Sequence, residues 1–125
     1  MDLSEHTLRW CVAFAITQAV ECPLYRRLFG VPLWAAFVAS ALTHPVVVWV
    51  MPHVWDGIYV RLSFDLSPNV YFLGYGVLAE TFAIVAEAVW LRRWLPPRRA
   101  LVASLVANLT SCTAGGLCWL VTGWP

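Results

Sequence analysis

The sequence predicts an all-α, multi-pass integral membrane protein: one domain over residues 1–125, built as an antiparallel bundle of four transmembrane helices. Three observations carry this. The chain is 61% hydrophobic and only 12% charged, against about 25% charged in ordinary soluble domains. It has eight Trp, six Phe and four Tyr, enough to furnish aromatic belts at both membrane interfaces. Four long apolar stretches are separated by short segments rich in Pro and Arg. Four spans of about 20 residues leave roughly 45 for termini and loops, too few for a soluble catalytic domain.

Span one is expected over roughly residues 8–25. Residues 1–9 lack the basic segment and small-residue cleavage site of a signal peptide, so this stretch is read as retained. Pro23 is expected to bend or end it. Gly30 and Pro32 mark a turn, and span two follows over 32–51, with Pro45 inside it. A proline is tolerated there because neighbouring groups such as Ser40 or Thr43 re-satisfy the freed carbonyl. The outer connection, 52–68, places Trp55, Ile58, Tyr59 and Leu62 at helical spacing, which predicts a short helix lying in the interface. The rival is a β-hairpin, from the β-branched run 46–50 and the Asp56-Gly57 pair. It would leave unpaired edges in lipid. Span three is expected over 69–91. Pro96-Pro97 makes a stiff turn, and span four runs over 100–120, with Ala100, Ala103, Ala107 and Ala114 suited to close helix packing.

Orientation follows from the arginines, since all eight basic residues are Arg. Arg26 and Arg27 follow span one, and Arg92, Arg93, Arg98 and Arg99 fill the third connection. The second connection sets Arg61 against Asp56 and Asp65. The positive-inside rule puts the first and third connections in the cytoplasm and both termini outside. The same six arginines suit anionic lipid head groups. Their split by Trp94, Leu95, Pro96 and Pro97 argues against nucleic acid. The expected location is the bacterial cytoplasmic membrane.

Glu21, His44, Glu80, Glu87 and Asn108 interrupt the apolar spans. A charged group at membrane depth costs about 2.5–3.5 kcal/mol on insertion scales, which makes each a candidate functional residue. At 1.5 Å per residue, Glu21 lies about 7–8 Å above Arg26, and Glu87 about as far above Arg92. Glu80 and His44 lie higher, near the midplane, and Asn108 falls between the two levels. Ser104, Asn108, Ser111, Gly115, Cys118 and Thr122 share one face of span four. Ala36, Ser40 and His44 share one face of span two, and Gln18 and Glu21 one of span one. The expected site is thus Glu80, His44, Asn108, Glu87, Glu21, Ser111 and Thr43, with His44 as the partner of Glu80. The bland alternatives are snorkelling Arg side chains that neutralise Glu21 and Glu87, and Asn108 with Ser111 as packing contacts. One intramembrane His argues against a metal centre, and the pattern calls for no cofactor. Ser40 and His44 lack the elbow and oxyanion motif that nucleophilic catalysis needs. Cys11, Cys22, Cys112 and Cys118 form no C-x-x-C pair and read as small core residues.

The run Thr43-His44-Pro45, then Glu80 and Glu87, then Asn108-Leu109-Thr110-Ser111, resembles a pattern in small four-span bacterial proteins of uncharacterised function. The resemblance implies a membrane protein and supplies no activity. On the residues themselves, the expected function is a small transporter or channel-like protein. Glu80, His44 and Asn108 would bind a proton or a small cation-linked substrate, in a homo-oligomer. The alternatives are an accessory or scaffold subunit of a larger membrane complex, and an intramembrane enzyme acting on a lipid.

Overall fold

The computed structural model describes residues 3–62 and 67–123. Every regular element in them is helical: α1 (Leu3–Phe29), α2 (Leu33–Pro45), a π-helical turn (Val46–Val50), α3 (Met51–Leu62), α4 (Pro68–Leu91) and α5 (Pro97–Thr122). Three helical runs are long and apolar enough to cross a membrane: Leu33–Arg61, Pro68–Leu91 and Pro97–Thr122. α1 is as long but more polar, because it carries Arg9, Gln18, Glu21, Arg26 and Arg27.

α1 packs on α2, α2 on α4, α4 on α5 and α5 on α1, which closes a four-helix ring. Contacts climb one helix as they descend its neighbour. Val47, Thr43 and Ala35 of the second rod meet Tyr75, Glu87 and Trp90 of α4 in that order, so neighbours are antiparallel. The turns α1–α2 and α4–α5 therefore meet at one end. There Tyr25, Val31, Ala35, Ala36, Leu91, Leu95, Ala100, Ala103 and Ala107 form a buried apolar cluster. Its many alanines let the helices approach closely. Just outside it sit Trp34, Trp90 and Trp94 with their rings in contact, and the Arg93 guanidinium lies 4.4 Å from the Trp90 ring centroid.

Three boundaries differ from the sequence expectation. Pro23 does not end the first helix; α1 continues to Phe29. It stops where Gly30 turns left-handed, at φ 72°, and donates its N–H to the Arg26 carbonyl at 3.2 Å, a cap that suits glycine. The outer connection holds no hairpin among the described residues. Its helix, α3, exists as expected but does not lie apart. It continues from α2 through the π-turn, so one rod runs from Leu33 to Leu62. Pro52 lies inside that rod, where it has no N–H to donate, and the Val47 carbonyl accepts from the Tyr75 hydroxyl at 2.8 Å. Part of the expected apolar face is used: the Trp55 and Tyr59 rings pack at an angle against Tyr71 of α4. Gly74 makes room for Trp55, since a Cβ there would stand 2.5 Å from the indole. Residues 63–66, and with them Asp65, lie outside the described residues.

The outer surface carries exposed apolar side chains on every rod, among them Phe72, Leu73, Val77, Leu120 and Val121. Such a coat suits lipid rather than water.

Gly30→Ala forces an L side chain into a left-handed backbone and should cost about 1–2 kcal/mol. Gly57→Ala, in helix and with open space around its new methyl, should be neutral or stabilise by about 0.4–1 kcal/mol. Denaturant titration in detergent micelles measures both. A Gly30→Ala protein as stable as the parent would show that the left-handed cap is dispensable.

Candidate functional site

Two carboxyl groups lie at the centre of the ring, each only 1% exposed. Glu87 of α4 accepts from three side chains. Tyr25 Oη donates to its Oε2 at 2.5 Å, Asn108 Nδ2 to the same oxygen at 2.8 Å, and Thr43 Oγ1 to Oε1 at 2.9 Å. Glu21 of α1 accepts from Ser111 Oγ at 2.6 Å on Oε1, and from Ser40 Oγ on Oε2. Asn108 also reaches the Ser104 carbonyl at 3.0 Å, and Ser104 Oγ donates to the Ile84 carbonyl at 2.8 Å. All four rods thus contribute to one hydrogen-bonded cluster.

The local reasons are helical. Glu21 and Tyr25 are four apart on α1, and Ser104, Asn108 and Ser111 recur at four and three on α5, so each set shares a face. Ser40 and Thr43 are three apart on α2. The antiparallel packing then brings the four faces together at one level, as the depths of Glu21 and Glu87 implied.

The snorkelling alternative for this pair is not what the structure shows. Arg26 and Arg92 are exposed. Each is five residues past its carboxyl, about 140° further around the helix, so they point away. Among the described residues the ion pair within 4 Å is Arg9 with Glu5, at 2.9 Å. The two buried carboxyls have no cationic partner. An unpaired carboxylate in a low-dielectric interior is strongly unfavourable, so neutralisation has to come from a proton or a bound cation.

Two hydroxyls suit a proton. A hydroxyl gives one proton and accepts through its oxygen. Ser111 Oγ lies 2.6 Å from Glu21 Oε1 and 3.0 Å from the Asn108 carbonyl. Thr43 Oγ1 lies 2.9 Å from Glu87 Oε1 and 3.3 Å from the carbonyls of Ala39 and Ser40. With the carboxyl ionised, the hydroxyl donates to it. With the carboxyl protonated, the hydroxyl accepts and turns its own proton to the backbone. Either state is satisfied without moving a heavy atom.

Above the pair opens a cavity of about 380 Å³. Glu21, Glu87, Asn108 and Ser111 are at its floor, Glu80, His44 and Cys112 on its walls, and Ala13, Val47, Gly115 and Trp119 toward the end opposite the arginines. Toward the Arg end it is closed by the Tyr25–Leu91–Ala103 cluster. The expected Glu80–His44 pair does not form. His44 Nδ1 and Glu80 Oε2 are both buried without a hydrogen-bond partner. His44 turns toward α1, with its ring 5.3 Å from Phe14 and 6.0 Å from Trp10, while Glu80 lies beside Cys112 of α5. The Ser40 hydroxyl is engaged by Glu21 and not by His44. Among the described residues no three His, Cys, Asp or Glu side chains are placed to hold a metal ion.

Every expected site residue lines this cavity. The emphasis differs, because the tightest contacts gather on Glu21 and Glu87 and not on Glu80. Tyr25 was missed. Its signal was its spacing, one turn beyond Glu21 on the same face. No protein-family model, curated protein or solved structure matches the chain.

Asn108→Leu removes the amide donor between Glu87 and Ser104. It should destabilise the bundle by about 0.6–2 kcal/mol in the same micelle titration. Unchanged stability would mean that Asn108 is not a structural contact.

Proposed function

We propose that the chain is a small four-span protein of the bacterial cytoplasmic membrane. In this reading it is a transporter or channel-like protein that binds a proton or a small cation-linked substrate at its intramembrane carboxyls. The observation that supports this best is the buried Glu21–Glu87 pair. Among the described residues it has no cationic partner, each carboxyl touches a hydroxyl with an alternative backbone acceptor, and both lie under a cavity. A purely structural cluster does not require the cavity or the unmatched charge.

α1 is the fourth span in this reading. Its 27 residues measure about 40 Å, and its buried carboxyl, Glu21, faces inward. The Arg-rich end faces the cytoplasm, where its six exposed arginines meet anionic head groups and Trp34, Trp90 and Trp94 sit at headgroup level. A homo-oligomer belongs to the same reading, because the apolar cluster below Glu87 leaves little room for a pathway within one copy.

Single cysteines introduced at Ser4 and Ser67, in a background without the four native ones, test orientation. Both should react with an impermeant reagent from outside only. Labelling solely from the cytoplasmic side would reverse the topology.

The functional test is proton flux into proteoliposomes that carry an internal pH dye. Wild-type protein should conduct above empty vesicles, and Glu87→Gln, which keeps size and hydrogen-bonding capacity, should fall to the empty-vesicle level while folding normally. A Glu87→Gln protein with full flux would remove the proton-binding role. Absence of flux in the wild type, with unlike subunits co-purifying, would favour the scaffold reading.

A further inference from the structure

The upper part of the cavity contains two buried acceptors that the fold leaves unsatisfied. Glu80 Oε2 has no partner among the described residues, though the Cys112 thiol lies beside that carboxyl group, and neither has His44 Nδ1, an acceptor whenever Nε2 carries the ring proton. Buried polar atoms without partners are uncommon and ask for an explanation. Both residues line the same space.

Four further facts constrain what would satisfy them. Among the described residues no Arg or Lys lines the cavity, whereas three Glu do, so a cationic donor suits it. Its volume, about 380 Å³, lies in the range of sites for small organic molecules. A bare metal ion needs several ligands converging at about 2.0–2.6 Å, and no such set is present among the described residues. Finally, the walls are mostly apolar, with Ala13, Ile16 and Val47, and with the Trp119 indole, whose face attracts cations.

We propose that this cavity binds an organic ammonium ion with an apolar body. The N–H groups meet Glu80 and His44, and the body lies against Val47 and Trp119. This rests on the cation-binding reading above and names its ligand class. Entry of such a cation would compensate the charge left when the carboxyls below release a proton, which would link the two events.

The probe is 2-phenylethylammonium, titrated calorimetrically into the full-length protein in detergent, with the uncharged 2-phenylethanol as its counterpart. The ammonium should bind saturably and the alcohol should not compete. Glu80→Gln should weaken binding on the order of tenfold or more. Gly115→Leu should abolish it by filling the space, since a Cβ there meets no atom within 4 Å and the helix is expected to fold. Gly116→Leu, equally unobstructed, repeats the steric test. Equal binding of ammonium and alcohol, no binding by the wild type, or undiminished affinity in both glycine variants would overturn the proposal. Ammonium binding that persists in a Glu87→Gln protein without proton flux would support the ligand site. Proton flux without ammonium binding would overturn the ligand site alone.

Discussion

The structure depends on two carboxyl groups held in the middle of a helix bundle by neutral donors. Glu87 draws together Tyr25 of α1, Thr43 of α2 and Asn108 of α5. Glu21 draws together Ser40 of α2 and Ser111 of α5. Each rod of the ring therefore has a polar reason to stand where it does. Between apolar helices in lipid, packing and hydrogen bonds replace the hydrophobic effect as the source of specificity. Exchange of any one donor for an apolar group leaves a carboxyl oxygen short of a partner, at a cost of about 1–3 kcal/mol or more for a charged group.

The two ends of the bundle differ because this cluster sits between them. Below it, alanines and the Tyr25 ring fill the space to the Arg-bearing turns. Above it, Ala13, Ala83, Gly115 and Gly116 are too small to fill theirs, and the second rod passes through a π-turn at Val46–Val50. A π-turn frees a backbone carbonyl from its usual partner and is frequent near functional sites. Here the Tyr75 hydroxyl donates to the Val47 carbonyl at 2.8 Å, which pins the interrupted segment to α4. Of these five residues, Val47 lines the cavity.

Much of this was legible in the sequence, and the failures have specific causes. Helical spans could be read from apolar runs, and the inward faces of α5 and α2 from small and polar residues at three- and four-residue spacing. Depth counted from the arginines put Glu21 and Glu87 at one level, where the structure has them. Counting gave no azimuth between helices. Glu80 was therefore paired with His44 by height alone, while the actual rotations send one to α5 and the other to the α1 aromatics. Tyr25 was hidden by its position next to Arg26, where an aromatic reads as an interface residue. Pro23 was expected to bend or end the first helix, but it sits on an exposed face and α1 runs through it to Phe29. The continuity of α2 with α3 depends on a π-turn, for which no residue pattern was available.

Under the proposed function, Glu21 and Glu87 take up and release protons within the folded bundle. Side-chain carboxyl carbon NMR of glutamate-labelled protein in lipid, assigned with Glu21→Gln and Glu87→Gln, tests it most directly. The account predicts that both carboxyl resonances move with pH while the helices remain intact. Resonances of both residues that stay fixed across the whole range in which the protein is folded would contradict it.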